Sequence, residues 1–391
     1  MKILYHHRIA SKDGQYVHIE EMVNAFKKLG HEVIIIGPSV VVNNEFGSEG
    51  GVISILKKVI PGAIYEILEL AYSIIVYIKL KKAIKRHNPD YIYERYNLYM
   101  PAGIVAKKKF NLPILLEVNA PLYDERKKHN GISLARLAKW SEQFVWRNAD
   151  HILCVTHVLA DIIEYNGVQK ERITITPNGI NPEKFIHVIE HDKAKELLGL
   201  NDSIVLGFVG FMRKWHGLEM IINFIAREGN KKIHILLVGD GPGRAEIEEK
   251  AKRAGVESQV TITGVVSRDR VTDYISAFDI ALQPAVVSYA SPLKLFEYLA
   301  LGKAILAPAA ENIMEILESN KNAILFEPEN MESLNKGLRL LINNAELRKG
   351  LGRAAQLTIK KNGYTWENNA ITSCKIANKY IQIREEGQVS R

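Results

Sequence analysis

Ser291–Leu306 reads SPLKLFEYLALGKAIL, and its reading decides the fold. A Ser-Pro turn opens a short amphipathic helix, Gly302 closes it, and an apolar strand follows at Ala304–Ala307. Proline suits the first helical position because its missing N–H has no partner there anyway. The unpaired N–H groups of that first turn, with the positive end of the helix dipole, favour an anion such as a phosphate. Glu297 sits a turn and a half in, where a carboxylate can accept hydrogen bonds from a ribose diol. Phosphate seat and diol acceptor together suggest a nucleotide, although the residues alone fit an ordinary helix entering an ordinary strand equally well.

The segment belongs to a rhythm that runs through the chain. Lys2–Tyr5, Glu32–Ile36, Tyr91–Glu94, Ile114–Glu117, His151–Val155 and Ile173–Thr176 are strand candidates, separated by helical patterns. Val17–Leu29 is one such helix, stopped by Gly30. The rhythm restarts after Gly199 with Ile204–Val209, Ile233–Val238, Val260–Thr263, Ile280–Gln283 and Ala304–Ala307. Such alternation predicts parallel sheets flanked by helices. At 391 residues, two domains are expected, their boundary in the polar stretch Asn181–Leu200. Two doubly wound domains leave a cleft at the carboxyl ends of their strands, where ligands bind.

SPLKLFEYLALGKAIL resembles the donor-binding helix of the family-4 retaining glycosyltransferases (glycosyl transferases group 1), which have the GT-B fold. The resemblance implies an α/β protein of two Rossmann-like doubly wound sheets facing across a cleft. Residues 1–185 would form the acceptor-binding domain and 186–365 the nucleotide-sugar domain. Residues 366–391 would form a helix that crosses back to the first domain, and Tyr364 and Trp366 resemble its start. In that family the second Glu of a pair eight positions apart grips the ribose, and Glu297 matches it. The first Glu, which meets the donor sugar, is replaced here by Tyr289. Ser291, Pro292, Leu293 and Lys294 would line the same donor pocket.

Other segments follow from the same resemblance. The loop Ser11–Gln15 matches a Gly-rich loop touching the donor phosphate, which implicates Gly14 and Gln15. Gly210-Phe211-Met212-Arg213-Lys214-Trp215-His216-Gly217 matches the loop that carries an Arg and a Lys on the leaving diphosphate. Those two places hold Phe211 and His216, so Arg213 is the expected catalytic cation, with Lys214 and His216 as further donors. Gly241, in Gly239–Arg244, and Val265, after Gly264, correspond to loops flanking the nucleotide and reading its base. Asn178-Gly179 matches a structural turn at the interdomain hinge. Asn119 stands where many members place a cleft histidine. An amide can hold a sugar hydroxyl but cannot transfer protons near neutral pH. His18, Glu117 and Glu125 lie near these loops, as structural or acceptor-facing groups.

Composition bounds the function. Hydrophobic content of 47% and charged content of 25% describe a globular protein. Two widely spaced cysteines imply neither a disulfide framework nor a zinc site. MKILYHHRIA lacks the apolar core of a signal peptide, so a cytoplasmic location is expected. Net charge is +8, and Lys79–Lys128 holds 12 Lys/Arg against 5 Asp/Glu. Before that stretch runs Ala63–Ile78, AIYEILELAYSIIVYI, apolar but interrupted by Glu66 and Glu69, too short and too charged to be expected to span a bilayer. It is either a buried helix before a solvated basic turn or a helix lying on an anionic membrane surface, on the inner face of the cell membrane. No recognised nucleic-acid motif accompanies the charge, and no nucleic-acid partner is expected.

The expected activity is sugar transfer with retention from a nucleoside-diphosphate sugar to a glycan or polyprenyl- or lipid-linked acceptor, in cell-surface polysaccharide, lipopolysaccharide or glycolipid synthesis. The resemblance implies neither metal nor cofactor, and no Asp-X-Asp pair suggests one. A hydrolysing nucleotide-sugar epimerase or a glycosyl phosphorylase shares the architecture. A non-catalytic nucleotide-sugar-binding subunit is the alternative from another class.

Overall fold

The computed structural model describes residues 1–10, 14–38, 60–129 and 131–389. Ser11, Lys12 and Asp13 of the expected phosphate loop lie outside the described residues. The chain divides into two units, one of Met1–Pro177 with Trp366–Arg391 and one of Asn178–Thr365. The division therefore falls at 177/178 rather than at 185/186. The polar stretch after Asn181 lies inside the second unit, as the turn Pro182–Phe185 and the helix His191–Leu197.

In the first unit, β1 (Lys2–His6), β2 (Glu32–Ile36), β3 (Tyr91–Arg95), β4 (Ile114–Val118), β5 (His151–Cys154) and β6 (Ile173–Ile175) form one sheet. Its order is β2-β1-β3-β4-β5-β6 and every pairing is parallel. All five residues of β3 and of β4 are buried. Helices cover both faces of such a sheet, so its strands read as continuous apolar runs. The first helix spans Gly14–Lys28, starting three residues before its sequence signal. The last helix, Trp366–Val389, packs against it in this unit. Trp366 fixes the return, its ring edge-on to His18 at 4.7 Å between centroids.

The second unit repeats the plan with β7 (Ile204–Val209), β8 (Ile233–Val238), β9 (Val260–Ile262), β10 (Ile280–Leu282), β11 (Ala304–Pro308) and β12 (Ile324–Phe326). The parallel order is β12-β11-β10-β7-β8-β9. β12 was missing from the sequence pattern. Chain direction around the sheet reverses between β7 and β10, and ligands of open α/β sheets sit outside the carboxyl ends of strands at such a switch point. The loops that leave β7 and β10 there are Gly210–Gly217 and Gln283–Pro292.

Candidate functional site

The helix Leu293–Ala300 is fixed to the switch point by one side chain. Tyr298, fully buried, accepts a hydrogen bond from Val209 N at 3.0 Å, at the very end of β7. Residues four apart share a helix face, so the same pin sets Lys294 beside Gly210. A Cβ on Gly210 would stand 3.4 Å from Lys294 Nζ. The ammonium lies 3.9 Å from the centre of the Phe208 ring, a cation–π contact. Burial lowers its pKa to about 7, although the nearby Glu297 charge opposes the shift.

Two further donors meet there. Arg213 lies between aromatic faces, 5.0 Å from the Phe211 ring centre and 4.8 Å from that of Trp215. Its backbone N–H donates to His216 Nδ1 at 3.2 Å, which leaves the imidazole proton on Nε2. Burial, and then the charges of Lys294 and Arg213, push His216 down to about 2, so the ring is a neutral donor. Among the described residues neither Lys294 nor Arg213 forms an ion pair. Donors gathered at a switch point, two of them cations that form no ion pair, make a site for a phosphate-bearing ligand.

The remaining expected residues of this unit take various places. Lys214 is exposed and pairs with Glu246 at 3.6 Å. Ser291 is buried: its Oγ accepts from Asn178 N at 3.3 Å and its carbonyl from Asn178 Nδ2 at 2.5 Å. Its hydroxyl thus secures the Asn178-Gly179 turn. Pro292 caps the helix, which starts at Leu293, one residue later than the proline suggested. Gly241, at φ 154°, supports the neighbouring loop: a Cβ there would strike Met212 O at 2.3 Å. Met212 N in turn donates to Asp240 O at 2.8 Å. Val265 is half exposed after β9, and Gly264 bridges Gly239. Tyr289 is half-buried in a turn held by Asn312, whose Nδ2 donates to the carbonyls of Val287 and Ala290. Glu297 is half-buried one turn after Lys294.

In the first unit His18 and Asn119 gather around Glu117. This carboxylate is 2% exposed and accepts from Tyr93 Oη at 2.8 Å, Arg95 Nη1 at 2.5 Å, Asn119 Nδ2 at 2.6 Å and His18 Nε2 at 3.1 Å. Burial alone would raise its pKa, but His18, Arg95 and the hydrogen bonds of His18 and Tyr93 hold it well below the usual carboxylate range. Glu117 is therefore enclosed, not acceptor-facing, and His18 is a structural partner. Asn119 has its amide nitrogen engaged, which leaves Oδ1 as its group for a ligand hydroxyl. Gly14 and Gln15 are exposed at the head of the first helix. Sequence reasoning missed Tyr298, Phe208, Tyr93 and Arg95, because each acts through a contact remote in sequence.

Comparison with known proteins agrees with this fold. The family model Glycosyltransferase Family 4 matches residues 12–184, and Glycosyl transferases group 1 matches residues 189–358. An uncharacterized glycosyltransferase of Methanocaldococcus jannaschii is 28% identical over 244 residues, which cover 61% of each chain. The chain thus spans about three fifths of the length of that curated relative. The crystal structure of Anabaena HepE in complex with UDP-glucose has a TM-score of 0.70 at 17% identity, covering both chains completely. WaaG, a glycosyltransferase involved in lipopolysaccharide biosynthesis, has a TM-score of 0.70 at 17% identity, covering 95% of this chain and 98% of its own. At such identities the structures speak for the fold alone. With each unit doubly wound, each matched by one of the paired family models, and the whole matched by GT-B structures, the chain belongs to the group 1, family-4 glycosyltransferases of GT-B fold.

Proposed function

We propose that the chain transfers a sugar, with retention, from a nucleoside-diphosphate sugar to a hydroxyl of a glycan or lipid-linked acceptor. The product would serve cell-surface polysaccharide, lipopolysaccharide or glycolipid synthesis. One observation carries the donor assignment: Lys294, Arg213 and the Nε2–H of His216 gather at the switch point of the second unit, and neither cation forms an ion pair among the described residues. The diphosphate would lie against these groups and the free N–H groups opening Leu293–Ala300. Glu297 would accept from the ribose, Val265 would meet the base, and Tyr289 would face the sugar where relatives carry a carboxylate. UDP-glucose on the HepE structure makes uridine donors the first to test.

As the bond from C1 to the leaving oxygen breaks, negative charge grows on the diphosphate, and the fixed cations stabilise it without reorganising. The acceptor oxygen bonds C1 on the same face, and its proton passes to an oxygen of the leaving diphosphate. Asn119 Oδ1 holds a hydroxyl and transfers no proton. Side chains meet the leaving charge, so the proposal includes metal independence. It also includes a cytoplasmic location peripheral to the inner face of the membrane. Incubation with UDP-, GDP-, ADP- and dTDP-sugars in EDTA, with glycan and lipid-linked acceptors, tests it. Acceptor-dependent nucleotide release and a product of unchanged anomeric configuration by NMR are expected. Release of free sugar or sugar phosphate without acceptor, or an inverted product, contradicts the proposal.

A further inference from the structure

The helix Gly62–His87 sorts its residues by face more sharply than its sequence suggested. Glu66 and Glu69, which interrupt the apolar run, both point inward and are buried. Glu66 accepts from Tyr99 Oη at 2.8 Å and from the backbone N–H groups of Ser133 and Leu134 at 2.7 and 2.8 Å. Glu69 pairs with Arg126 at 2.6 and 3.0 Å and with Arg8 at 3.2 Å. With both carboxylates consumed inside, the opposite face carries Ile64, Ile67, Leu68, Ile74, Ile75 and Ile78, each between 45% and 64% exposed. Steps of three and four residues put them in one stripe, about 21 Å long at 1.5 Å per residue. Single exposed apolar residues are ordinary, whereas a continuous stripe marks an interaction surface.

The stripe runs directly into charge of one sign. Lys79, Lys81, Lys82, Lys85 and Arg86 fill the last two turns, all exposed, and none pairs with a carboxylate among the described residues. The helix Ala102–Phe110, packed against this one, adds exposed Val105, Lys108 and Lys109. A second copy would leave this basic end needing acidic groups that the stripe does not carry. An anionic bilayer supplies both chemistries at once, acyl chains for the isoleucines and phosphates for the ammonium groups. Spanning is a different matter: among the described residues no helix is long and apolar enough to cross a membrane. This helix also buries two carboxylates on its other face, Glu69 ion-paired and Glu66 hydrogen-bonded.

We propose that the outward face of Gly62–His87 docks on an anionic lipid surface, with its isoleucine stripe at the headgroup–acyl boundary and its basic end on lipid phosphates. The proposal deepens the transferase assignment, on which it rests only for its purpose, by seating the first unit where a lipid-linked acceptor is carried. Flotation of the full chain with phosphatidylcholine vesicles, with and without phosphatidylglycerol, tests it. Binding is expected only with phosphatidylglycerol and is expected to weaken with salt. Ile67→Ser/Ile74→Ser/Ile75→Ser and Lys81→Gln/Lys82→Gln/Lys85→Gln should each reduce it by about tenfold or more. These side chains face water, so the variants should keep the wild-type melting temperature and nucleotide affinity. Absence of flotation by folded wild type overturns the proposal, as does binding unchanged in both variants. A dimer that the isoleucine variant dissolves overturns it too, since a second copy would then cover the stripe. Nucleotide titration of the same samples is independent of vesicles, so loss of the donor assignment and loss of this proposal are read separately.

Discussion

Lys294 holds its ammonium 3.9 Å from the centre of the Phe208 ring, on a helix pinned to the same strand through Tyr298. A cation kept over an aromatic face and half withdrawn from water is poorly solvated in the free protein. It gains most when an anion arrives.

Lys294→Met should therefore separate stability from function. Without the burial penalty on the charged amine, the melting temperature should rise by about 2–4 °C. Nucleotide affinity should fall in the same variant. Calorimetry and titration of one preparation check both, and a lower melting temperature with unchanged affinity would show that the amine serves packing.

The same amine sets a pH dependence. Its folded pKa of about 7 lies below the ordinary lysine value. Between pH 7 and 10.5 the unfolded chain thus binds the proton that the folded chain releases, and stability from this group rises with pH. Nucleotide affinity should run the other way, falling as pH rises above 7, with proton uptake on binding. Titration in buffers of different ionisation enthalpy reads the uptake, and Lys294→Met should abolish it.

Arg213→Ala should lower kcat on the order of 100-fold, as loss of a preorganised charge at a leaving group does, with a smaller effect on donor affinity. Arg213→Lys should not restore the rate, because stacking between Phe211 and Trp215 requires the flat guanidinium. Steady-state kinetics on both variants distinguish a charge at the reaction from a loop support, since loop support alone would raise KM and spare kcat.

Glu117→Gln should destabilise the first unit by about 3–5 kcal/mol, because Arg95 would be left buried without its counter-charge. The wild-type carboxyl titrates lower in the folded state than in the unfolded chain. Its contribution is present above the unfolded value of about 4.5 and is lost as pH falls below it. Urea midpoints between pH 7 and 3 should fall more steeply for wild type than for the variant.

The sheet architecture was legible in the sequence because parallel strands buried on both faces announce themselves as apolar runs. Glu32–Ile36, Ile204–Val209 and Ile233–Val238 have the bounds read from sequence. β12 was not read from the sequence, although at three residues it is no shorter than β6, β9 and β10, which were. The division at 177/178 escaped because Asn178 is held by Ser291, 113 residues away. Arg213 was visible as a cation in a strand-exit loop, but the state of Lys294 depends on its burial against Phe208, which is remote in sequence. Glu66 and Glu69 were misread as breaks in an apolar run. They in fact share spacing with Ser73, Val76 and Leu80, so the inner face was written in the sequence at helical period.

Under the proposed function, Lys294, Arg213 and His216 form a diphosphate site. Isothermal titration of the chain with UDP, GDP, ADP and dTDP in EDTA tests it most directly. One nucleotide should bind clearly at neutral pH with uptake of a proton, and Lys294→Met and Glu297→Ala should each weaken that binding. If none of the four binds at millimolar concentration, or if binding ignores both substitutions, Lys294, Arg213 and His216 do not form a diphosphate site.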